Sequence, residues 1–119
     1  MDNKLTPATE LTLKIVEFIN SKHYYATRIV TAGIYDEKEQ RWKRSGTDRG
    51  TADIHACING QHISIEIKCN RDQLRKKQIE VKQRIEIAGG YYWEIKTFEQ
   101  FQDLYFSFLW QYPKSSISQ

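Results

Sequence analysis

Two carboxylates and a lysine, Asp53, Glu66 and Lys68, fall at spacings that one hairpin brings onto a single surface. Between them sits Asn59-Gly60, a pair whose residues both tolerate φ > 0 and which therefore favours a two-residue hairpin turn. With that turn the register follows by counting. Ile58 faces Gln61, Cys57 faces His62, Ala56 faces Ile63, His55 faces Ser64, Ile54 faces Ile65 and Asp53 faces Glu66. Side chains alternate along a strand, so Ile54, Ala56, Ile63, Ile65 and Ile67 form an apolar face, while Asp53, Glu66 and Lys68 share the other. Opposed carboxylates, with Cβ atoms about 5 Å apart, repel unless positive charge lies between them. A hard divalent cation such as Mg²⁺ meets that need, being held by one or two carboxylates plus substrate phosphate. The alternative is a salt bridge from Lys68 to the two acids on a solvated sheet face.

A rival constellation shares this face. His55, Cys57 and His62 cluster near the turn, and zinc accepts such ligands; a structural site wants a fourth, and Cys69 lies at the far end of the strand. Gly33-Ile34-Tyr35 spells the first half of a GIY-YIG nuclease signature, but no Tyr-Ile-Gly follows. The sequence holds no Ser-His-Asp pattern, P-loop or Rossmann fingerprint.

Asp53, a dozen intervening residues, and then Glu66-Ile67-Lys68 across a hairpin resemble the PD-(D/E)xK nuclease pattern. Gly50-Thr51-Ala52-Asp53-Ile54, Ile65-Glu66-Ile67-Lys68, Gln78, and Gly89-Gly90 before an aromatic strand are similar to its virus-type replication-repair nuclease (VRR-NUC) branch. The likeness runs over residues 10–105 and departs at Ala52, where the family usually has proline. The resemblance implies a restriction-endonuclease-like α/β/α core with a mixed four- or five-stranded sheet, and a Mg²⁺- or Mn²⁺-dependent endonuclease acting on DNA. It implies that Asp53 and Glu66 bind the metal with the Ile67 carbonyl, joined by Glu10 through water. Lys68 would position the attacking water, and Gln78 would orient Lys68 or a phosphate. It further suggests a homodimer acting on branched DNA, as junction resolvases do, and fits a phage or mobile-element origin. The reading from another class is a non-catalytic nucleic-acid-binding or assembly module on the same fold.

The elements that must position these residues are legible in outline. Thr6-Pro7 starts a helix with an apolar stripe at Leu11, Ile15, Phe18 and Ile19. Glu10 and Glu17 share one side of it; a first-turn glutamate is also favoured by the helix dipole alone. Residues 24–31 read as a strand with Arg28 outward. Residues 36–50 are polar and long, which predicts a short ribbon or a functional loop. A helix over residues 71–88 carries the inward stripe Leu74, Gln78, Val81, Ile85 and Ala88, interrupted by one amide that needs partners if buried; a purely structural glutamine is the alternative. A strand over 91–96 follows. Thr97 and Gln100 then open a capping box for a helix bearing Phe101, Leu104, Tyr105, Phe108 and Leu109, with Trp110 and Tyr112 near its end and apolar surface to spare for a partner.

The 119 residues, 15 of them aromatic, suffice for one packed domain over residues 1–112, followed by a polar tail at 113–119. There is no apolar run long enough to span a membrane and no signal-peptide pattern. Two cysteines do not make a disulfide framework, so a cytoplasmic, reduced protein is expected. Net charge is only +3, yet residues 41–84 hold eleven basic residues against five acidic ones, leaving the remainder at −3. Arg41, Lys43, Arg44, Arg49, Arg71, Arg75, Lys76 and Lys77 are thereby candidate contacts to a phosphate backbone, although a charge run is also what a solvated surface looks like.

Overall fold

The first helix begins where the sequence places it: Thr6 Oγ1 accepts from the Thr9 N–H at 3.1 Å, and Pro7 occupies the first helical position, where no hydrogen bond is lost. In the computed structural model, which describes residues 5–30, 33–43, 46–69 and 74–111, this helix, α1, spans Pro7–Ser21. It is followed by β1 (Tyr25–Arg28), β2 (Ile34–Asp36), β3 (Arg41–Lys43), β4 (Ile54–Ile58), β5 (Gln61–Ile67), α2 (Lys76–Ile87), β6 (Tyr91–Ile95) and α3 (Phe98–Gln111). Strands β1-β4-β5-β6 form one mixed sheet, antiparallel through β5 and parallel between β5 and β6. β2 and β3 form a separate antiparallel ribbon, which resolves the 36–50 region in favour of a ribbon continued by a loop. Arg44, Arg71, Asp72, Thr31, Tyr112 and the 113–119 tail lie outside the described residues. No helix among the described residues is long and apolar enough to cross a membrane.

The hairpin register is the expected one from Ile58↔Gln61 to Ile54↔Ile65, with Asn59 and Gly60 at φ 53 and 82. Alternation then sorts the sheet into two unlike faces. Ile54, Ala56, Ile58, Ile63, Ile65 and Ile67 join Trp93 and Ile95 in one core with Ile15 and Ile19 of α1 and Phe101, Tyr105 and Phe108 of α3. Burial of each such aliphatic side chain contributes about 1.5–3 kcal/mol. The α1–α3 seam is aromatic, with Phe18 meeting Phe98, Phe101 and Tyr105 edge-on at 5.1–5.7 Å. At the free edge of β1, the Asn20 amide accepts from Ala26 N–H (2.9 Å) and donates to Ala26 C=O (3.1 Å). It occupies groups that would otherwise template another strand.

The opposite face, carrying His55, Ser64, Glu66, Tyr92 and Glu94, is covered in part by α2, giving an α/β/α layering. α2 is shorter at its start than the sequence suggests. Leu74 precedes it, and Ala88 just past its end is exposed rather than inward. No residue of α2 is fully buried, because the sheet beneath it is polar. Its placement depends on a close approach: Gly50, at φ +86, runs so near that an added Cβ would lie 2.5 Å from the Lys77 carbonyl oxygen.

Gly60, at φ +82, has open space around it. The two glycines therefore separate backbone strain from collision. Gly60→Ala should cost about 1 kcal/mol, and Gly50→Ala clearly more, about 2–4 kcal/mol, in urea unfolding; equal costs would refute the tight loop–helix contact.

Candidate active site

β4 begins at Ile54, so Asp53 stands one residue outside the ladder, and the Asp53–Glu66 pair that counting suggests is not part of it. The Asp53 carboxylate instead completes the sheet: Oδ2 accepts the Ile67 N–H at 2.9 Å, while its own carbonyl accepts the Ile29 N–H at 2.8 Å. An acid bound in this way at a strand end has its orientation fixed by the backbone.

Glu66 is only 5% exposed. Its Oε2 accepts from Gln78 Nε2 at 2.8 Å and lies 3.5 Å from Lys68 Nζ, whereas its buried Oε1 has no hydrogen-bond partner. Burial, and after it the Asp53 charge, push the Glu66 carboxyl up to about 7, with Lys68 pulling the other way. Lys68 is itself buried, and its N–H donates to Ile95 C=O at 2.8 Å, extending the β5–β6 ladder. The Lys68–Glu66 pair thus exists, but within the protein rather than on a solvated face.

Gln78 meets the same Glu66 oxygen that Lys68 approaches. Its Oε1 accepts the Arg75 N–H at 2.8 Å at the start of α2, which turns its NH₂ group toward Glu66. The amide is a strut between a helix terminus and a buried carboxylate.

Asp53 and Glu66 form part of the lining of a cleft of about 710 Å³ together with Gln78. Arg49, Arg75, Lys76 and Lys77 border the same cleft, as do Trp42 and Lys43. Lys43 is spoken for, pairing with Asp36 at 2.9 Å and Glu39 at 2.8 Å, and Arg41 pairs with Glu39 at 3.1 Å. These two candidates are engaged inside their own ribbon. Glu10 is exposed in the first turn of α1, and its carboxylate makes no hydrogen bond or ion pair among the described residues.

Tyr92 escaped the sequence reading. It is buried, its hydroxyl has no hydrogen-bond partner, and burial followed by the charges of Glu66, Asp53 and Glu94 raises its pKa. The alternation of Tyr91-Tyr92-Trp93-Glu94-Ile95 held the signal: if Trp93 and Ile95 are core, Tyr92 and Glu94 face the carboxylates, beside Ser64 and Glu66 in the parallel register.

Among the described residues no three His, Cys, Asp or Glu side chains are grouped to hold a metal by themselves. For His55, Cys57 and His62 this is easily understood. Cys57 is exposed, and His62 Nε2 is engaged with Ser64 Oγ at 2.7 Å. Asp53 and Glu66 are a different case. Two carboxylates with a buried, partnerless oxygen fit a hard cation completed by backbone, water and phosphate oxygens. The chain matches no protein-family model and no curated protein.

A raised carboxyl pKa favours the folded state in its protonated form. The stability it lends is complete below the unfolded value near 4.5 and is lost as pH climbs through about 7. Unfolding in EDTA should therefore show Glu66→Gln gaining on the wild type between pH 5 and pH 8, by about 2 kcal/mol after allowance for solvent screening. Mg²⁺ or Mn²⁺ at pH 8 should restore the wild type only. A pH-independent difference would contradict this account.

Proposed function

We propose that this protein is a divalent-metal-dependent endonuclease that hydrolyses DNA phosphodiester bonds. The observation that carries the reading is the buried Glu66 carboxylate, one oxygen without a partner, beside Asp53 in a cleft bordered by Arg49, Arg75, Lys76 and Lys77. Cationic side chains at the mouth attract a phosphate backbone, and the acids below repel it unless a cation intervenes. The resemblance to the VRR-NUC pattern points the same way.

Asp53, Glu66 and the Ile67 carbonyl would hold Mg²⁺ or Mn²⁺, which supplies Lewis-acid charge against the phosphate and acidifies nearby water. The Ile67 N–H fixes the Asp53 carboxylate, and Gln78 fixes that of Glu66. Lys68, held within the site by Glu66, positions the attacking water and offsets negative charge as it grows on the phosphate. Water oxygen bonds to phosphorus, one P–O ester bond breaks, and the departing oxygen takes up a proton. A homodimer working on branched DNA belongs to this reading. α3, on the layer opposite α2, exposes Phe106 and Trp110, an apolar surface suited to a second copy.

The test is cleavage of labelled junction, duplex and single-stranded DNA with Mg²⁺, Mn²⁺ or EDTA. Cutting should require the metal and fall at least about 10²-fold in Glu66→Gln and in Lys68→Ala. Gln78→Leu, which removes a positioning contact only, should lose less. Tight binding without cutting in either metal would instead favour a nucleic-acid-binding module.

A further inference from the structure

The cleft has two unlike rims. Arg49, Arg75 and Lys76 make one of them cationic, and none of the three is in an ion pair among the described residues. The other rim is the β2–β3 ribbon, which reaches the cleft through Gly33, Trp42 and Lys43. The ribbon carries no surplus charge: Asp36, Glu37 and Glu39 balance Lys38, Arg41 and Lys43, and the pairs to Asp36 and Glu39 engage the last two of these bases. What it presents is an indole, 70% exposed. Trp42 lies opposite Tyr35 in the ribbon register, with ring centroids 5.3 Å apart and edge-to-face.

A two-stranded ribbon of this length is marginal by itself. Here Asp36 Oδ1 accepts the Lys38 and Glu39 N–H groups at 2.9 and 3.1 Å, tying the turn, and the Lys43 ammonium links strand and turn. The device holds an aromatic ring at the rim of a polar cleft, where it buries little of its own surface.

We propose that Trp42 stacks on an unpaired base of the substrate strand, so that this site acts where the base beside the scissile phosphate lies outside a duplex. The inference rests on the nuclease reading above and names its substrate class. A strand threading the cleft turns its phosphates to the cationic rim and its bases to the aromatic one. Both faces of a base within a duplex are taken by its neighbours, so only an unstacked base offers its π-face to Trp42. Single strands, flaps, gaps and junction arms qualify.

The test is binding by the full-length wild type, Trp42→Ala and Trp42→Phe, in EDTA and in Ca²⁺. The probes are a fluorescein-labelled oligo-dT, an abasic strand of equal length, and a perfect duplex. Trp42→Ala should weaken oligo-dT binding roughly tenfold while leaving the abasic strand and duplex unchanged, and Trp42→Phe should recover most of the loss. Equal losses on dT and abasic strands, no loss on dT, or no binding of any strand would overturn the inference. The two readings fail separately. Selective dT loss in a protein that never cuts keeps the stacking and ends the hydrolase, whereas metal-dependent cutting with binding indifferent to Trp42 ends the stacking alone.

Discussion

A carboxylate buried without a full set of donors is costly, by several kcal/mol when it stays charged, and Glu66 is in that position. Its Oε2 is served by Gln78 and, more loosely, by Lys68, the Asp53 backbone N–H also favours its charged form, and its Oε1 has no hydrogen-bond partner. The Tyr92 hydroxyl nearby is equally without a partner. Native proteins rarely leave two such groups close together in their interior unless the site has a use for them. The rest of the α2 side follows from this. Lys68 is buried because it meets Glu66, α2 begins where it does because Gln78 must reach Glu66, and the 46–51 loop needs glycine at position 50 because it passes against the same first turn.

The sheet tolerates this expense because its other face does the folding. Ile54, Ile58, Ile63, Ile65 and Ile95 are wholly buried against α1 and α3, and that layer contains nearly all of the large apolar burial. α2 adds little, with Ile79 and Ile87 exposed. Apolar packing and the buried acids are thus placed on opposite sides of one set of strands, so residues i and i+1 face different surroundings all along β5. The arrangement lets the polar face accumulate acids without dissolving the core.

This division also decides what was legible beforehand. A period-2 pattern with Asn59-Gly60 at its centre specifies the hairpin register down to single residues, and Thr6-Pro7 specifies a helix start, because both depend on local chemistry alone. The ladder end at Asp53 was not legible, since it depends on the carboxylate replacing a strand acceptor at Ile67, which is a tertiary event. The parallel β5–β6 register, which brings Tyr92 and Glu94 to the site, joins residues separated by a helix, and only the alternation within β6 hinted at it. Charge counting overlooked the ion pairs at Arg41 and Lys43. A basic residue in a sequence window says nothing of the acid that folds back on it, and Asp36 and Glu39 do so through a turn that the window's sum did not include.

The placement of α2 links the buried carboxylate to the surface charge. Gln78 Nε2 holds the Glu66 oxygen, and Gln78 Oε1 holds the Arg75 N–H, so the first turn of the helix, with Arg75, Lys76 and Lys77 on it, is registered to Glu66 through one rigid amide. A neutral glutamic acid can still accept from Gln78, but a carboxylate does so more strongly, since hydrogen bonds to a charged acceptor are about twice those to a neutral one. Because the Glu66 carboxyl titrates near 7, whatever favours its charged form also tightens the strut. Positive charge at the carboxylates therefore favours both the ionised acid and the seat of the cationic rim, and the acids and the basic residues of the cleft are coupled through a single side chain.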